Sequence, residues 1–125
     1  MSPDDRVKVL VVEDEDALSK VLKLRLEIEG FAVTTAADGA EALALVQKQR
    51  PDLVLCDLMM PVMDGKEFTK AMKADARLKA IPILILSALK REQEMEELRR
   101  LGADGFAAKP FDSKALTAQI LELLP

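Results

Sequence analysis

Five short apolar runs, each followed by a segment of helical periodicity, constrain this chain more than any other feature. The runs are Val7–Val12, Phe31–Thr35, Leu53–Asp57, Ile81–Leu86 and Gly105–Lys109. Leu53-Val54-Leu55-Cys56 is apolar without alternation, as expected of a strand covered by helices on both sheet faces. Between the runs, Leu18, Val21, Leu22, Leu26 and Ile28 recur mostly at helical spacing, and Gly30 closes that helix. Asp38-Gly39-Ala40-Glu41 reads as a capping-box-like start to the second helix, and Arg50-Pro51 ends it. Gly65–Ala74, Arg91–Leu101 and Ser113–Leu124 read as the remaining helices. Strand–helix alternation repeated five times predicts an α/β fold: a parallel five-stranded sheet, doubly wound with right-handed crossovers into a three-layer domain.

With 125 residues the chain has the length of one domain, and neither linkers nor internal repeats interrupt it. Half the residues are hydrophobic but only 3% are aromatic, so the core must come from Leu, Val, Ile, Ala and Met. A single cysteine excludes an internal disulfide, and with no histidine the usual zinc patterns are excluded too. A metal here would need oxygen ligands, which suits Mg²⁺ or Ca²⁺. Any phosphohistidine must come from another protein. The net charge of −4, with no basic stripe, argues against nucleic-acid binding by this domain. No apolar run approaches a membrane span, and Met1–Arg6 lacks the character of a signal segment, so a cytoplasmic domain is expected.

In open α/β sheets ligands bind beyond the carboxyl ends of the strands. The first run ends in Glu13-Asp14, the third in Asp57, the fourth in Ser87 and the fifth in Lys109. Three carboxylates, a hydroxyl and an ammonium are therefore expected on one sheet edge. Close carboxylates repel one another, and a divalent cation would resolve that repulsion. Mg²⁺ takes about six oxygens, which carboxylates, waters, a backbone carbonyl and a phosphate oxygen could fill. Lys109 and Ser87 would then face the other phosphate oxygens, with Asp57 as a nucleophile forming an acyl phosphate.

Taken singly, these residues have plainer readings. Glu13-Asp14 alone is a solvated turn at a helix start, Asp57 a strand-end turn residue and Ser87 a cap. Their convergence at strand ends favours function. Cys56 reads as a core hydrophobe, and Met59, Met60 and Met63 as loop packing. Lys90–Arg100 reads as a solvated helix face, with a partner-binding face as the alternative. Phe106 is either core filler or a ring that moves. Lys66 is assigned no role.

Four blocks carry a resemblance across Val7–Leu124: Val9–Glu15, Asp57–Gly65, Leu86-Ser87-Ala88 and Gly102–Phe111. The chain resembles the receiver domain of two-component response regulators. The resemblance implies strand order 2-1-3-4-5 and Asp57 as phosphoacceptor, fed by a histidine kinase or histidine phosphotransfer protein. It implies Glu13 and Asp14 as the acidic pair for Mg²⁺, with Asp14, Asp57 and the Met59 backbone carbonyl as direct ligands. Ser87 stands as the switch hydroxyl, Lys109 as the family's lysine and Phe106 as its switch aromatic. A cis Lys109-Pro110 bond is also implied, an isomer adopted by about one X–Pro bond in twenty. The chain would catalyse only its own phosphoryl transfer and dephosphorylation, and signal through the face of the fourth helix, fifth strand and fifth helix. The recipient would be a downstream effector or a fused output domain. Departures are Glu at position 13, Ser87 where Thr is more frequent and Phe106 where Tyr is more frequent. Met59 and Leu89, both apolar, offer nothing to orient water, so a persistent phosphate is expected.

Three other functions compete. A flavodoxin-like cofactor binder would need a Ser/Thr/Gly-rich phosphate loop where this chain has Glu13-Asp14-Glu15-Asp16. A phosphatase with an Asp nucleophile would need an acid at position 59. A scaffold receiver would have no need of five competent site positions.

Overall fold

The computed structural model describes residues 5–88 and 92–125. Its elements run β1 (Lys8–Val12), α1 (Asp16–Ile28), β2 (Ala32–Ala36), α2 (Gly39–Lys48), β3 (Leu53–Asp57), α3 (Gly65–Ala74), β4 (Ile83–Ser87), α4 (Glu92–Leu101), β5 (Gly105–Ala108) and α5 (Ser113–Leu123). The five strands form one parallel sheet in the order β2-β1-β3-β4-β5. The doubly wound α/β fold is therefore the observed one.

The pleat explains why the strands do not alternate in polarity. Leu10, Val12, Val54, Cys56, Ile83 and Ile85 point to one face, against Ala42 and Val46 of α2, Phe68 and Met72 of α3, and Leu98 of α4. Val9, Val11, Leu53, Leu55, Leu84 and Leu86 point to the other, against Leu22 and Leu26 of α1 and Leu116 and Ile120 of α5. Both faces are buried, so every position of β3 is apolar until Asp57.

Two helix ends depend on glycine. After α1, Gly30 takes φ +102°; its N–H bonds Glu27 O at 3.0 Å, and the Phe31 N–H bonds Leu26 O at 3.1 Å. After α4, Gly102 at φ +113° repeats the pattern with Arg99 and Leu98. Both are Schellman caps, whose left-handed residue carries no Cβ penalty in glycine. Because the Phe31 N–H serves the cap, β2 starts one residue later than the hydrophobic pattern predicts.

At β4, Pro82 has no N–H to give a ladder, so Ile81 and Pro82 precede the strand. The Pro82 carbonyl still accepts from the Val54 N–H at 3.0 Å. The expected capping box at α2 is half formed. Asp38 Oδ1 accepts from the Glu41 N–H at 2.9 Å, but Glu41 Oε2 accepts from Ala37, not Asp38. The complete box lies at α3, where Asp64 and Glu67 cap each other's backbone N–H groups. Arg91, the expected start of the fourth helix, lies outside the described residues, as do Lys90 at the head of the charged run and the terminal Met1–Asp4.

Candidate phosphoacceptor site

The carboxyl ends of β1, β3, β4 and β5 lie along one edge of the sheet, and their register fixes what meets there. Asp57 stands beside Leu86, and Ser87 beside Ala108. Beyond the strands, the Glu13 N–H bonds Ala36 O at 3.0 Å, and the Lys109 N–H bonds Ser87 O at 3.0 Å. These bonds extend the ladder past its apolar part and hold the polar side chains in place.

One cleft is lined by Glu13, Asp14, Asp57, Met59, Ser87 and Lys109, together with Glu15 and Ala88. Carboxylate oxygens of Glu13, Asp14 and Asp57 lie within 4.8 Å of one another. Glu13 and Asp57 are buried and Asp14 is exposed. Lys109 Nζ sits 3.0 Å from Glu13 Oε1 and 3.1 Å from Asp57 Oδ2, tying β5 to both acids. The second Glu13 oxygen accepts from the Glu15 N–H at 3.0 Å and shapes the turn into α1.

Burial pushes the Glu13 carboxyl above its ordinary range, with Asp57 adding to the rise and the Glu15 N–H and Lys109 opposing it. Burial alone would lower Lys109, but its hydrogen bonds to Glu13 and Asp57 outweigh that and raise it. Lys109 is therefore an ammonium throughout the physiological range. The two directions have different origins: Glu13 rises chiefly because it is buried, and Lys109 rises because two carboxylates hold its ammonium. An all-oxygen donor set with surplus negative charge suits a hard divalent cation such as Mg²⁺.

The loop after β3 departs from the packing reading in part. Met60 and Met63 pack into the core, but Met59 is 67% exposed at the cleft. Val62 takes φ +67°, and the Met63 N–H bonds Pro61 O at 2.7 Å across it. This tight γ-turn is unusual for a β-branched residue. It turns Met63 back to the core, where Met63 O accepts from the Gly39 N–H at 3.3 Å, and leaves Val62 80% exposed. The Lys109-Pro110 bond is cis. Cys56 is wholly buried in the core beside Asp57, and burial pushes its thiol well up.

Phe106 is half-buried against the α2–α3–α4 core, with the Arg99 guanidinium 5.1 Å from its ring centroid. Leu89 lies outside the described residues, which leaves Met59 as the described half of the apolar pair. Lys66 makes an ion pair with Glu97 at 3.1 Å, linking α3 to α4. Sequence patterns gave no signal for Lys73, whose Nζ meets Asp104, Lys79 O and Ile81 O and ties α3 to the approaches of β4 and β5. Among the described residues, no helix is long and apolar enough to cross a membrane.

Comparison with known proteins agrees with this geometry. The profile of the response regulator receiver domain matches residues 9–121. A probable transcriptional regulator, ycf27, of Cyanophora paradoxa is 40% identical over 120 residues, covering 96% of this chain and 49% of that protein. The chain spans about half the length of the curated relatives it matches. Among solved structures, the chemotaxis response regulator CheY4 of Vibrio cholerae aligns with TM-score 0.90 at 38% identity, covering 95% of this chain and 99% of that one. The receiver domain of the sensor histidine kinase PA1611 of Pseudomonas aeruginosa PAO1 aligns with TM-score 0.87 at 30% identity, covering 94% and 97%; that structure has a magnesium ion coordinated in its active site cleft. The chain belongs to the response regulator receiver domain family. It is thus a receiver domain of two-component signalling.

Proposed function

We propose that this chain accepts a phosphoryl group from a partner's phosphohistidine onto Asp57, in a Mg²⁺-dependent reaction, and relays the event through the α4–β5–α5 face. The observation that carries this reading is Lys109 bridging Glu13 and Asp57 in a cleft of three carboxylates. Glu13, Asp14 and Asp57 would hold the Mg²⁺, Asp14 and Asp57 directly, with the Met59 backbone carbonyl as a further ligand. Bound there, Mg²⁺ supplies charge neutralisation for the nucleophile and the phosphoryl oxygens. The magnesium-bearing cleft of the PA1611 receiver domain supports this assignment.

An Asp57 carboxylate oxygen attacks phosphorus, and the new O–P bond forms as the P–N bond to the donor imidazole breaks. The imidazole leaves with the bonding pair and takes up a proton. Lys109 binds one phosphoryl oxygen as a compact cation, and the Ser87 hydroxyl donates to another. Catalysis is positioning and charge stabilisation, confined to the chain's own phosphorylation and dephosphorylation. Partners are a histidine kinase or histidine phosphotransfer protein upstream and an effector or fused output domain downstream. Relatives about twice as long that are named transcriptional regulators favour the fused arrangement. The domain itself binds neither nucleic acid nor membrane and works in the cytoplasm.

The assignment is tested by loading the protein from phosphoramidate with Mg²⁺, reducing the adduct with borohydride and mapping peptides. Conversion of Asp57 to homoserine is expected; an adduct elsewhere would reassign the acceptor. The relay follows from new acceptor oxygens drawing Ser87 inward, so that the Phe106 ring moves into the space beside it. Amide shifts on phosphorylation should then reach Phe106, Ala107 and α4. Shifts confined to the cleft would refute the relay.

A further inference from the structure

A second cavity, of about 270 Å³, lies beneath α4, and the phosphoryl chemistry makes no use of its walls beyond Ser87 and Phe106. Leu58, Ile85, Met95, Leu98 and Phe106 give it an apolar lining. Glu92 and Glu94 reach it from the first turn of α4. Acids are favoured in a first helical turn by the helix dipole, which accounts for exposed Glu92. The dipole favours Glu94 equally but leaves open what its inner oxygen meets. The Glu94 side chain is half-buried, and its Oε2 is covered from solvent with no hydrogen-bond partner among the described residues. Among the described residues, the ion pairs of α4 go instead to Glu97, with Lys66, and to Glu96, with Arg100. An apolar pocket edged, among the described residues, by a carboxylate oxygen without a hydrogen-bond partner fits a cation with a hydrophobic body. The volume, just below that of typical ligand pockets, limits that body to about one ring.

We propose that this cavity binds a small apolar cation, an arylalkyl- or alkylammonium, whose charge Glu94 meets while its body packs against Met95, Leu98 and Phe106. Rotation about the soft terminal torsion of Glu94 brings a carboxylate oxygen to face the ammonium. Ser87 and Phe106 border the same cavity, so the ligand occupies space that the proposed ring movement needs. Ligand and phosphoryl group therefore oppose each other, each weakening the other to the same degree. This antagonism, though not the site, rests on the relay proposed above.

The test is an NMR titration of the whole chain, with Mg²⁺ saturating to occupy the acidic cleft. The probes are benzylammonium chloride and its neutral isostere benzyl alcohol. Saturable shifts are expected at the Met95 methyl and at Ala107 and Ala108. Benzylammonium should bind about tenfold more tightly than the alcohol. Glu94→Gln, a near-isosteric change on a helix surface, should abolish that preference while leaving remote resonances in place. Equal binding of the two probes, shifts confined to Glu13 and Asp14, or a preference surviving in Glu94→Gln would each overturn the site. In a sample shown by mass to be phosphorylated, benzylammonium should bind several-fold more weakly. Unchanged affinity there, with the Glu94 dependence intact, would overturn the antagonism and the ring movement but not the site.

Discussion

Lys109→Met is expected to slow phosphorylation from phosphoramidate by about a hundredfold at saturating Mg²⁺, the loss typical when one charge-stabilising donor leaves a preorganised site. The ammonium lies 3.0 Å from Glu13 and 3.1 Å from Asp57, and both acids are buried. Met fills the volume of the stem without the charge. Two buried carboxylates then face each other with no protein cation between them, which favours a proton on one of them. Asp57 is nucleophilic only as a carboxylate, and the incoming phosphoryl oxygens lose the donor that would receive them. Mg²⁺ affinity should rise slightly, because the ion then competes with a displaceable proton instead of a fixed ammonium. Single-turnover rates by mass, with a calorimetric Mg²⁺ titration beside them, measure both effects. A rate within threefold of the parent would remove Lys109 from the chemistry.

Gly65→Ala is expected to lower stability by about 3 kcal/mol and the melting temperature by about 10 °C. A Cβ at Gly65 would lie 2.8 Å from Asp57 O and 2.9 Å from Leu58 Cα. Both are backbone atoms, so no side chain can swing aside. The Gly65 N–H also bonds Leu58 O at 2.9 Å, which presses the start of α3 against the residues carrying the nucleophile. Relief must come from moving α3 or the end of β3, so phosphorylation should slow as well. Gly30→Ala is the contrasting case. Nothing lies within 4 Å of a Cβ there, and only the positive φ is unfavourable, at a cost of about 1 kcal/mol. Circular dichroism melts of the two variants separate steric conflict from backbone strain. Equal losses would show that the close approach at Gly65 is tolerated.

Much of the fold was legible because burial on both sheet faces leaves a plain mark. Leu53–Asp57 and Gly65–Ala74 have the bounds read from the sequence, since an acid ends one and a glycine opens the other. Boundaries slipped where backbone hydrogen bonding competes with hydrophobicity. Phe31 is buried like a strand residue but spends its N–H on the α1 cap, and Pro82 has no N–H to spend. The Asp64–Glu67 box escaped notice because Asp64-Gly65 looks like the end of a loop.

The cleft was legible for a topological reason: parallel strands send their last residues to one edge, so reading each strand's final residue lists the lining. Distances were not legible. That Lys109 reaches both Glu13 and Asp57 depends on the register of β5 against β4, which no local pattern encodes. The charged run through α4 reads as solvated, and most of it is. Leu98 is nonetheless buried, and Glu94 turns an oxygen away from water. A composition dominated by charge hides a single inward carboxylate.

The most direct measurement is intact mass after incubation with phosphoramidate, with and without Mg²⁺, for the parent chain and Asp57→Asn. The expected result is a gain of one phosphoryl group that requires Mg²⁺ and disappears in Asp57→Asn. A gain that persists in Asp57→Asn, or that is indifferent to Mg²⁺, would contradict the proposed chemistry.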